Sequence, residues 1–217
     1  MFINVKIPTD KINNIVDVTR KALDYCREVD AVIADLPPVS KEMDGQRAVD
    51  ARKEKLDDYA AKKKSMLSVA KESVAQIIES SKADIDAQTT PSGEMISENK
   101  DFMLFEHGFI KSPDQLSRLV NKHIGTDHAI PFAMIAEDYA KKNKWGASFE
   151  VHTDEGAVRD YLDQVYDVSN KALDFPGGYY DAYVCDPEFL EKVAAAFGVL
   201  KNYSAERTSG YNPEESD

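Results

Sequence analysis

Four histidines, His107, His123, His128 and His152, are the side chains best suited to move a proton or grip a metal near neutral pH. Metal-binding pairs on one helix sit four apart, so that both nitrogens converge on one face. His123 and His128 are five apart with Gly125 between them, which does not give that geometry. The stretch His123-Ile124-Gly125-Thr126-Asp127-His128 could still close into a loop site in which Asp127 joins the two imidazoles. A histidine near a helix C-terminus is favoured by the helix dipole, which accounts for His123 without a metal. Glu106-His107-Gly108 sets a base beside a flexible turn. Acid–base work needs a second group of matched pKa, and the sequence identifies none.

Other chemistry is weaker still. Glu137-Asp138 and Asp154-Glu155 are adjacent carboxylates, and neighbours on a helix point in different directions, so neither is a ready dyad. No G-x-S-x-G nucleophile turn and no glycine-rich phosphate loop occurs. Cys26 and Cys185 lie far apart and read as ordinary small apolar side chains, free thiols in a reducing compartment. The sequence therefore assigns no catalytic residue, no cofactor and no metal.

The elements that must position these groups are helices. Ile15, Val18, Ala22, Tyr25, Val29, Val32 and Leu36 follow one another at steps of three and four. That spacing keeps one narrow apolar stripe facing a neighbouring helix along the whole length, and these seven residues are the candidate interface. The helix starts after Pro8, with Thr9 or Asp10 as cap, and runs to Leu36, where Pro37-Pro38 stops it. Ahead of it, Ile3, Val5 and Ile7 alternate with polar residues as a short strand or extended arm. A second helix is expected from about Arg47 to about Ile85, free of Gly and Pro. Its first half is charged, with Val49, Leu56 and Tyr59 as the residues able to pack. Its second half regains an apolar stripe, and the short linker predicts antiparallel packing on the first helix.

A polar, breaker-rich linker follows at 87–100. The apolar run Phe102–Phe105 must be buried. Ser112-Pro113-Asp114-Gln115 is a helix start with a capping serine, a first-turn proline and a glutamine placed to bond back. Further helices are expected over Ile130 to Asn143, from Thr153 as cap through Leu173, and from Asp186-Pro187 onward. Phe149–His152 reads as a short strand, and Phe175–Tyr180 as an aromatic loop. The fold class is mainly α: a coiled-coil-like helical hairpin arm over 1–86, the linker 87–100, and a compact helical domain with at most a few short strands over 101–200. A disordered acidic tail fills 201–217.

Charge narrows the function. The 217 residues carry a net charge of −12, which repels a phosphate backbone. Residues 47–64 alone are basic, with seven cationic and four anionic side chains. They read first as a solvated helix with ion pairs among Glu54, Asp58 and neighbouring lysines. No apolar run is long enough to span a bilayer, and the N-terminus does not read as a signal peptide. The expectation is a non-enzymatic structural or interaction protein of the cytoplasm, or of a virion. It would assemble with a protein partner, as a homo-oligomer or as a structural or scaffolding subunit of a viral or bacteriophage particle. One alternative is a small metal-dependent enzyme or ligand-binding domain in 101–200, using His107, His123, Asp127 or His128. Another is a nucleic-acid-binding regulator that uses the basic helix 47–64.

Overall fold

The computed structural model describes residues 2–91, 93, 96, 99–126, 128–145 and 151–199. Among them the elements run β1 (Phe2–Ile3), α1 (Thr9–Ala34), α2 (Lys41–Thr89), α3 (Phe102–Glu106), α4 (Pro113–His123), α5 (Ala129–Lys142), β2 (His152–Thr153), α6 (Glu155–Asp174), α7 (Tyr179–Cys185) and α8 (Phe189–Ala196). The fold is mainly helical, with α1 and α2 packed as a pair. Asp127, residues 149–150 of the expected strand and the tail 201–217 lie outside the described residues, as do positions 92, 94, 95, 97 and 98 of the linker.

The described residues form two compact units, each drawn from separated stretches of chain. One lies within Met1–Pro8, Ser80–Tyr161 and Ala194–Asp217, the other within Thr9–Glu79 and Leu162–Val193.

In the second unit, α1 buries Ile12, Ile15, Val16, Thr19, Ala22, Leu23, Cys26 and Val29, a wider face that takes in Ile15, Ala22 and Val29 of the expected stripe. The buried Thr19 hydroxyl donates to the Ile15 carbonyl at 2.8 Å, so it is not left unsatisfied. The helix stops at Ala34, two residues before Leu36, because Pro37 disfavours helical torsions at the residue before it. The Leu36 amide instead closes a tighter turn on the Ile33 carbonyl at 3.2 Å. Regular helix resumes after Gly45, whose φ of 79° breaks the first turn of α2. From there α2 continues without interruption to Thr89, four residues past the expected end. Gln88 explains the extension: its side-chain oxygen accepts from the Lys6 amide at 2.7 Å, and its nitrogen donates to the Lys6 carbonyl at 3.1 Å.

The direction of the pair follows from two meetings. Lys63 of α2 reaches Asp30 of α1, and Ala60 shares a groove with Ile33. One number rises as the other falls, so the helices are antiparallel. Arg20 of α1 ties down the end of α7, donating to the Val184 and Asp186 carbonyls at 2.9 Å each. Tyr179 and Tyr180 belong to α7 and not to the expected loop, which closes at Gly178. Gly177, at φ +82°, makes the turn, and Asp181 accepts from its amide at 2.7 Å.

The first unit holds a parallel pair of two-residue strands, Phe2 opposite His152 and Ile3 opposite Thr153. Thr153 therefore lies in β2 and does not cap α6. The carboxylate of Asp154 accepts from the Val5 amide at 2.7 Å and anchors the N-terminal segment. Ser112 caps α4 as expected, accepting from the Gln115 amide at 3.3 Å, while the Gln115 side chain accepts from the Lys111 amide. Phe102 is buried, but Met103 is half exposed, so the run Phe102–Phe105 is covered on one side only. The rings of Phe102, Phe105 and Phe132 meet at 4.9–6.5 Å between centroids, and Tyr139 extends the cluster.

Candidate functional site

The seven candidate interface residues divide by depth. Ile15, Ala22 and Val29 are buried at 0%, 2% and 7% exposure. Val18, Tyr25 and Leu36 are half-buried, and Val32 is exposed. The inner part of the stripe thus packs within the chain, and its exposed part narrows to Val32.

The broader uncovered surface is on α2. Residues 41–69 include no buried side chain, and the first is Ala70. Within this stretch the half-buried positions are Ala48, Val49, Arg52, Leu56, Tyr59, Lys63 and Leu67. They continue, at steps of three and four, the buried line Ala70, Val74, Ile78, Ser81 and Ile85. One helix face therefore passes from core to open surface along its length. Arg52 places its Nε out of water with no hydrogen-bond partner among the described residues. Beside that face the charges are partly neutralised: Lys62 pairs with Asp58 at 2.7 Å, and Lys63 with Asp30. Met66 and Val69, on another side of the helix, are exposed.

The loop site expected of His123, Asp127 and His128 includes Asp127, which lies outside the described residues. His107 ends α3, exposed, with its ring 5.7 Å from that of Phe109. His128 precedes α5, half-buried, and His152 is exposed on β2. His123 alone is buried, at the last position of α4. Its Nε2 lies 2.9 Å from Asp101 Oδ2, and its ring stacks on Phe132 at 4.0 Å. Lys122 donates to the same Asp101 oxygen at 2.7 Å. The Lys122 hydrogen bond, then that from His123, hold the Asp101 carboxyl below the ordinary range. Asp101 thus joins the start of α3 to the last turn of α4, a clasp between helices. Among the described residues no group of three or more His, Cys, Asp or Glu side chains is arranged to hold a metal ion.

Two functional-looking residues escaped sequence reasoning. Asp101 stands 22 positions before His123, and no local pattern joins them. Asp181 is buried at 2% exposure, accepts from Gly177 and Arg27, and stands 3.5 Å from the Cys185 sulfur. A carboxylate placed just after a Gly-Gly turn was the available signal. Cys26 and Cys185 are both free, and burial pushes the Cys26 thiol up, away from the reactive thiolate.

Comparison with protein-family models, with curated proteins and with solved structures returns no match to this chain. No helix of the described residues is long and apolar enough to cross a membrane.

Proposed function

We propose that this chain is an assembly protein that associates with further copies of itself through the uncovered half of α2. The observation that carries the reading is the continuous helix 46–69 without a buried side chain, whose half-covered line, apolar except at Arg52 and Lys63, extends that of the core. In folded proteins helices of this kind draw most of their stability from tertiary contact, and a partner's helix supplies that contact when the chain's own does not. Mixed charge beside the line, Asp50, Glu54 and Asp57 among Lys53 and Lys55, suits antiparallel pairing with an identical segment. A structural or scaffolding role in a larger particle is the setting in which such a surface is used.

The test is sedimentation over a wide range of protein concentration. Reversible oligomers are expected for the natural chain, and a monomer for Val49→Glu combined with Leu56→Glu. Circular dichroism and melting establish that the variant stays folded. A natural chain that sediments as a monomer at all concentrations contradicts the proposal.

A further inference from the structure

A groove of 570 Å³ runs along α2 beside the C-terminal ends of α1 and α6. Ile33 and Leu67 supply apolar surface over the buried Leu173, and Lys63, Lys64, Lys71 and Asp174 supply charge. The α2 residues that line it run from Ala60 to Lys71, always on one face, for about 16 Å or three helical turns. We infer that this groove receives an acidic amphipathic helix of a partner protein. The inference rests on the assembly reading for the premise that this unit meets other chains, and it adds a partner that is chemically distinct from a second copy.

Shape and charge both select that occupant. A straight trough lined by the i, i+3, i+4 and i+7 positions of one helix accepts the matching apolar anchors of another. The apolar residues shield those anchors from water, which makes each of them favourable to bury. The lysines ask for carboxylates along the flanks of the incoming helix. Lys64 has no acidic partner among the described residues. Lys63 and Lys71 each engage one carboxylate, Asp30 and Asp174, and an ammonium carries three donors, so both retain N–H groups for a ligand. Three lysines against Asp30 and Asp174 leave the patch net positive in a chain whose net charge is −12, and that local excess favours an acidic helix.

The experiment uses the full chain and two designed helical peptides with one leucine face in common. One carries glutamate on both flanks of that face, the other lysine, and binding is read by fluorescence anisotropy. The glutamate peptide is expected to bind about tenfold more tightly than the lysine peptide, and more weakly as salt is raised. Lys64→Glu, a surface change that leaves the fold intact, is expected to erase that preference. Leu67→Asp is expected to abolish binding, with folding checked by circular dichroism. Equal binding of the two peptides, binding of neither, or an unchanged preference in Lys64→Glu overturns the inference. If neither peptide binds while the chain still forms oligomers in sedimentation, the groove assignment alone fails. A chain that is monomeric throughout contradicts the self-association reading separately.

Discussion

Lys63 of α2 donates to both carboxylate oxygens of Asp30 on α1, at 2.6 and 2.7 Å. The pair marks where the antiparallel helices meet, yet Asp30 is 59% exposed at its side chain, so solvent screens the attraction. An exposed pair of this kind contributes at most about 1 kcal/mol. The fully buried Ile15 is a different case, because its truncation leaves a cavity. Lys63→Ala is expected to cost under about 1 kcal/mol, and Ile15→Ala about 2–5 kcal/mol, in urea denaturation. Equal costs would show that the hairpin is held by charge and not by its apolar face.

The Asp101 clasp predicts a pH dependence. Lys122, then His123, lower its carboxyl in the folded protein relative to the unfolded chain. The Lys141 hydrogen bond, followed by the Val151 amide, lowers Glu137 likewise. A carboxylate depressed on folding adds stability that is present above its unfolded pKa, about 4, and is lost as pH falls through the folded value. Melting temperature should therefore drop on the acid side. Asp101→Asn should shrink that drop and lower stability near neutrality. An acid limb of the same depth in Asp101→Asn contradicts the assignment.

Ser169 lies on α6, wholly buried, and its hydroxyl has no hydrogen-bond partner among the described residues. A hydroxyl taken out of water without a partner is destabilising. Ser169→Ala should leave stability unchanged or raise it by about 1 kcal/mol, measured by chemical denaturation. A loss of about 1 kcal/mol or more would mean that the hydroxyl is satisfied in solution.

Asp181 shows the opposite behaviour. It is buried, and it accepts from the Gly177 amide at 2.7 Å as well as from Arg27. Asp181→Ala removes both and strands the turn amide, for an expected cost of about 2 kcal/mol. Arg27 is 47% exposed at its side chain and regains water, so it adds little to that figure. A cost near zero in thermal melts would show that the turn holds without it.

The mainly helical class is legible in the residues because local rules set it. The steps of three and four from Ile15 to Val29 place a buried face on α1. Ser112 and Gln115 mark the start of α4, and the proline after Leu36 marks the end of α1. What is not legible depends on partners far along the chain. The pairing of Phe2 with His152, the meeting of Asp101 with His123, and a groove assembled from Ile33, Leu67 and Leu173 leave no periodic trace. The two strands are two residues each, too short to show an alternation, and their pairing is settled by tertiary contact. Tyr179 and Tyr180 follow two glycines, so they read as loop, yet the Gly177 turn is what lets α7 begin at Tyr179.

Hydrogen exchange along α2, measured in dilute and in concentrated protein, reports whether residues 46–69 are covered by a second copy of the chain. In dilute protein, amides of residues 46–69 should exchange faster than those of 70–89, which carry the buried side chains of this helix. Concentration should slow exchange in 46–69 and leave 70–89 unchanged. Exchange in 46–69 that stays equally fast in concentrated protein would rule out self-association through α2.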